Sequence, residues 1–114
     1  MGCHLQVAGQ LNQSIKAACS SYLAPQCASA IRQYESELLA AQRDLSSVSV
    51  PTALGQANTS LMGAIGTDLT AARQALDAIN ARDASGFLGA VSTHIQAGSL
   101  LMRSWSQVVG ALGG

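Results

Sequence analysis

From Leu61 to Leu112, apolar residues recur in steps of three and four. They run Leu61, Ile65, Leu69, Ala72, Leu76 and Ile79, then Leu88, Val91, Ile95, Gly98, Met102, Trp105, Val109 and Leu112. This period sets each series along one face of a helix. The break from Asn80 to Gly86 is short and holds Asp83, a good N-cap. The pattern predicts a helical hairpin, with helices over about 52–81 and 84–112 whose apolar stripes need further helices to cover them.

Upstream, Ile31, Tyr34, Leu38, Ala41, Leu45 and Val48 keep the same alternating spacing and predict a helix over about 26–48. Arg32, Gln33, Glu35, Glu37, Arg43 and Asp44 occupy its other faces. Arg32 with Glu35, and Arg73 with Asp77 in the next helix, stand at ion-pair spacing. A less regular series, Ala8, Leu11, Ile15, Cys19 and Leu23, predicts a first helix over about 5–23, weakened by Gly9 and Asn12.

The apolar phase runs on through Pro25 to Cys27 and Ile31. Pro25 therefore either opens a new helix or kinks a long one. An unbroken helix from Leu5 to Val48 would span about 65 Å against ~45 Å for its neighbours, which favours a turn. The expected fold is an all-α, up-down four-helix bundle in a single domain, 1–114. The alternative is a three-helix bundle with a long first helix kinked at Pro25. Gly63 and Gly66 fall inside the third helix, where each costs about 1 kcal/mol relative to alanine. They mark either a close approach by another helix or a softened middle.

Composition narrows the function classes. Charged residues are 11% of the 114, against about 25% in an average soluble protein, and formal net charge is zero. Such a chain lacks the basic footprint of a nucleic-acid binder or of an anionic-membrane binder. Aromatic residues are only Tyr22, Tyr34, Phe87 and Trp105, too few for a stacking platform. The longest charge-free run, Leu45 to Thr67, is broken by Pro51 and rich in polar residues, so no transmembrane helix is expected and the chain reads as soluble. The preference for alanine, glycine and arginine suits a GC-rich bacterial genome.

Met1-Gly2-Cys3 has two main readings. The signal box of bacterial lipoproteins ends in Gly-Cys, so Cys3 is a candidate lipidation site if a signal segment has been trimmed. The other reading is an ordinary start with an unremarkable cysteine. Dual acylation of the eukaryotic kind is disfavoured, because Gln6 stands where that signal wants Ser or Thr. Cys19 and Cys27 lie about 12 Å apart in one unbroken helix, too far to bridge, but face each other if the chain turns at Pro25. A Cys19–Cys27 disulfide, leaving Cys3 over, is set against three reduced core cysteines.

Residues for chemistry are sparse. His4 and His94 have no glutamate three residues before them, so the di-iron pattern of four-helix proteins is absent, and His94 reads as an edge residue. Glu35 and Glu37 point about 200° apart on a helix. Asp83 reads as a cap, and Asp68, beside Leu69, as a flank of the stripe. No nucleophile elbow, phosphate loop or zinc spacing occurs. Neither a catalytic constellation nor a resident cofactor or metal is expected. The outer face of the last helix, Ser92, Thr93, Gln96, Ser99 and Gln107, is polar without charge. Of these, Ser92, Gln96, Ser99 and Gln107 form a candidate interaction face for another protein or a second copy.

Val50-Pro51-Thr-Ala-Leu54, followed by Leu76-Asp-Ala-Ile79-Asn-Ala-Arg-Asp83-Ala-Ser-Gly-Phe87, resembles the helix punctuation of small helical domains in exported bacterial proteins. The resemblance covers about half the chain. It implies an extracytoplasmic bundle and carries over no catalytic residue. Small secreted hairpins of the WXG100 type share the length, but their Trp-x-Gly turn is missing, since Ser106 and Gln107 follow Trp105.

The expectation is a non-enzymatic cell-envelope accessory or protein-interaction domain, or, if no signal has been removed, a cytoplasmic one. The alternative is a carrier of a small apolar ligand or cofactor in a bundle cavity lined by Met62, Met102 and Trp105, with Met62, Met102 or His94 as axial candidates if that cofactor is a haem.

Overall fold

A computed structural model describes the backbone of residues 2–47, 49 and 51–113, and the side chains of 9–47, 49 and 51–110. The chain forms four α-helices: α1 (Gly2–Ala18), α2 (Pro25–Ser47), α3 (Gly55–Ala81) and α4 (Ala84–Gly113). A short 3-10 turn, Thr52–Leu54, leads into α3. The fold is the expected all-α bundle, 45 Å long and about 20 Å across. Consecutive helices pack together, α3 and α4 most extensively.

The chain turns before Pro25, which opens α2 at the position where its missing N–H leaves no bond unmade. The kinked three-helix alternative is thereby excluded. The turn is covalently fixed, because Cys19 and Cys27 are disulfide-bonded with Cα atoms 4.5 Å apart. Tyr22, in the same turn, stacks on Phe87 of α4 at 5.3 Å between ring centres. Leu23 lies in this turn, exposed, and not in α1. The helix stops five residues earlier than the periodicity suggests because the bridge pulls the chain round. Cys3 and His4 lie outside the described side chains, as do Val48, Val50 and Leu112.

α2 buries Cys27, Ile31, Tyr34, Leu38, Ala41 and Leu45, every described position that its spacing predicts. At the α3–α4 turn, Asp83 caps α4: its Oδ1 accepts from the Gly86 N–H at 2.9 Å. A β-carbon at Gly86 would come within 2.5 Å of the Asp83 carboxylate, so a larger residue there would have to displace that carboxylate from its present position. α3 ends on Arg82 in the left-handed conformation (φ 53°), with Asp83 N–H donating to Ala78 O at 2.8 Å.

Two local expectations change. Gly63 and Gly66 do not meet another helix, since a β-carbon at either would find no atom within 4 Å. The Thr67 and Thr70 hydroxyls instead donate to their uncovered carbonyls one turn back, at 3.0 and 3.1 Å. Arg73 reaches Glu35 on α2 (Nε to Oε2, 3.0 Å), replacing the Arg32–Glu35 and Arg73–Asp77 pairings.

The larger correction concerns α4. Its inward stripe is Phe87, Ala90, His94, Ala97, Leu101 and Ser104, one residue ahead of the expected series. The small members Ala90, Ala97 and Ser104 recur every seven residues. Ala64, Ala71 and Ala78, buried on α3, have the same spacing in the opposite chain direction. Small residues repeated along both seams let the two backbones approach closely. Transfer free energy per side chain is low for alanine and serine, so this seam is faint in a pattern read from large apolar residues.

Candidate functional site

Each helix contributes one polar side chain to a chain of hydrogen bonds through the middle of the bundle. Asp68 of α3 is wholly buried, at 0% exposure. Its Oδ2 accepts from the Tyr34 hydroxyl of α2 at 2.5 Å, and its Oδ1 lies 2.6 Å from Nδ1 of His94 on α4. On the far side of that ring, Nε2 is 2.6 Å from Oδ1 of Asn12 on α1. Tyr34 and His94 also meet edge to face, with centres 5.1 Å apart. Asp68 is therefore a core residue and not a flank, whereas His94, its side chain 20% exposed, is half-buried and bonded at both ring nitrogens.

A buried carboxylate costs several kcal/mol unless it is paired and its oxygens are bonded. Here both oxygens are used. Burial, and then the neighbouring Asp68 carboxylate, push the Tyr34 phenol far above its ordinary pKa of 10.0. Tyr34 is thus a fixed donor. His94 meets oxygens on both sides: a doubly protonated ring donates to both, and a neutral ring keeps both bonds if the Asn12 amide turns its nitrogen inward. Asn12 and His94 tie α1 to α4, which otherwise pack little against each other.

An Asp–His pair is the usual orienting half of acid–base machinery. In this bundle the ring's second nitrogen is occupied by Asn12. Among the described residues, every buried side-chain nitrogen and oxygen has a hydrogen-bond partner. The arrangement ties the four helices together through these side chains. No group of three metal-ligating side chains occurs among the described residues.

Beside the network lies an apolar cavity of about 40 Å³, lined by residues of all four helices including Ile15, Ile31, Phe87 and Val91. Met62, Met102 and Trp105 are absent from its lining, and Met102 is 58% exposed. The interior trio expected of a ligand carrier is not assembled.

The outward face of α4 is the second feature. Leu88, Ile95, Met102 and Val109 are 68%, 62%, 58% and 46% exposed. They stand seven residues apart, so they form one straight stripe along the helix. Half-buried Val91, Gly98 and Trp105 border it on one side. Exposed Ser92, Ser99 and Ser106, again every seventh residue, border it on the other. Ser92, Gln96, Ser99 and Gln107, the candidate interaction face, are all exposed. The polarity assigned to that surface is incomplete, because a row of large apolar residues runs beside the serines. Among the described residues, no helix is long and apolar enough to cross a membrane. Comparison with protein-family models, curated proteins and solved structures finds no match for the chain.

Proposed function

We propose that this chain is a non-catalytic protein-interaction domain of the bacterial cell envelope, with the outer face of α4 as its docking surface. The observation that carries the reading is the uncovered seven-residue repeat Leu88, Ile95, Met102 and Val109 on a helix whose opposite face is fully engaged. Isolated exposed apolar residues are ordinary, but an aligned row of this length marks a contact surface.

The envelope part of the reading draws support from the Cys19–Cys27 bridge, since such bonds persist in oxidising compartments. Lipid attachment at Cys3 belongs to the same reading. The absence of catalysis draws support from the self-satisfied Tyr34–Asp68–His94–Asn12 chain. A carrier role is disfavoured by the cavity of about 40 Å³, because pockets for small organic ligands measure roughly 300–1,000 Å³.

A photo-crosslinking amino acid placed at Ile95 or at Met102, in the native host, tests the proposal. Discrete protein adducts are expected from these positions and not from Gln74 on the exposed face of α3. Equal labelling from all three positions, or none, contradicts it.

A further inference from the structure

We infer that the occupant of the outer face of α4 is a second copy of the same chain, paired antiparallel along α4. This rests on the docking proposal and names its partner. Three observations carry it: the symmetry of the stripe, its chemical match to the interface α4 already makes, and its charge.

An antiparallel two-fold between Gly98 and Ser99 maps the stripe onto itself. Leu88 then meets Val109 of the other copy, and Ile95 meets Met102. The same operation keeps each flanking row on its own side, so Trp105 lies beside Val91 and Gly98 beside Gly98 of the other copy, while Ser92 lies beside Ser106 and Ser99 beside Ser99. Parallel pairing would instead set the Val91, Gly98 and Trp105 row of each copy against the serine row of the other. A self-complementary patch of this kind is what an isologous contact requires. Gly98 sits at the centre with open space around it, no atom of its own chain lying within 4 Å of a β-carbon built there.

The outer face also repeats the design of the inner one. The α3–α4 seam has a small residue every seven positions, Ala90, Ala97 and Ser104, and the outer row has Ser92, Ser99 and Ser106. The spacing that seats α3 on one side of α4 is present on the other.

Charge favours pairing of like with like. Arg103 is the only charged residue of α4, and the chain's formal net charge is zero, so two copies meet without repulsion. One arginine gives little attraction to anionic headgroups, which separates this face from a membrane-surface helix. The four stripe residues expose on the order of 400 Å² of apolar surface. That lies below the ~800 Å² per partner of a standard interface, as befits a dimer that dissociates on dilution.

Sedimentation equilibrium of the intact chain from micromolar to several hundred micromolar tests the inference. The expected result is reversible conversion from one to two chain masses. The double variant Ile95→Glu, Met102→Glu stays at one chain mass throughout, with unchanged helical circular dichroism. In a Cys3→Ser background, an equimolar mixture of Leu88→Cys and Val109→Cys chains forms an intermolecular disulfide far faster than either variant alone.

A wild-type chain that stays monomeric overturns self-pairing, whether or not it adheres to neutral phosphatidylcholine vesicles. So does a double variant that still dimerises, or faster crosslinking of each cysteine variant with itself. If the monomeric chain still gives position-95 adducts to a different protein, the docking proposal stands without self-pairing. If it gives none, both fall.

Discussion

The two faces of α4 differ in what they bury and agree in how they are spaced. The inner face sets Ala90, Ala97, Leu101 and Ser104 against α3 and carries His94 into the polar chain. The outer face leaves larger residues, Leu88, Ile95, Met102 and Val109, between 46% and 68% exposed. Size alone would assign the faces the other way round. What decides is fit: α3 offers Ala64, Ala71 and Ala78, and a seam of small residues packs closely where a row of leucines would hold the helices apart. Polarity inside the bundle belongs to the same logic, because Asp68 is tolerated only with both its oxygens bonded.

The largest effect should come from the polar chain. Asp68→Ala strands the Tyr34 hydroxyl in the core, takes one partner from the His94 ring, and should cost about 3–5 kcal/mol in chemical denaturation. Adjacent residues give a direct contrast between the faces. Leu101→Ala should cost about 2–4 kcal/mol, whereas Met102→Ala should change the stability of dilute, monomeric protein by less than about 0.5 kcal/mol. Equal losses at the two positions would erase the distinction between inner and outer faces.

Reducing the Cys19–Cys27 bridge should lower stability by about 2–3 kcal/mol. The loss should concentrate in α1, whose described apolar side chains Leu11 and Ile15 are only half-buried. Hydrogen exchange in α1 should rise first, before α3 and α4 open.

Alkaline pH probes the inner face through Tyr34. Its phenol has a raised pKa in the folded protein, so its contribution to stability is whole below the unfolded value of about 10 and declines above it. Tyr34→Phe removes that dependence and costs about 1–2 kcal/mol at neutral pH. Unfolding curves at pH 9 and 11 for the two proteins measure the difference. The smallest effect lies away from both faces: Gly63→Ala and Gly66→Ala should each stabilise α3 by about 1 kcal/mol, since nothing occupies the space of the added methyl group.

Much of this architecture was legible in the chain. α2 could be read residue by residue because large apolar positions alternate with charged ones, and that contrast marks a single face. Asp83 announced its cap, and the turn at Pro25 brought Cys19 to Cys27. α4 lacked that contrast. It carries two apolar stripes one residue apart, bounded by serine and glutamine in place of charge, and the period fits both. Asp68 and His94 escaped because each, taken alone, resembles a boundary residue. Their positions held a signal nonetheless. Asp68 falls in step with Leu61, Ile65, Ala72 and Ala75, and His94 in step with Ala90 and Ala97. Tyr34 stands on the α2 stripe. Polar residues at core positions on several helices of one bundle point to a shared network. Which of them meet depends on how the helices cross, and no single helix encodes that.

The most direct test of the two-faced helix is a thiol-reactivity scan along α4 in a Cys3→Ser background, with single cysteines at Leu88, Ile95 and Met102 and at Ala90, Ala97 and Ser104. At micromolar protein, the first three should react with maleimide at rates near those of a free thiol, and the second three at least tenfold more slowly. At several hundred micromolar the outer set should become protected while the inner set stays unchanged. Fast reaction at Ala90 and Ala97, or slow reaction at Ile95 in dilute protein, would contradict the account.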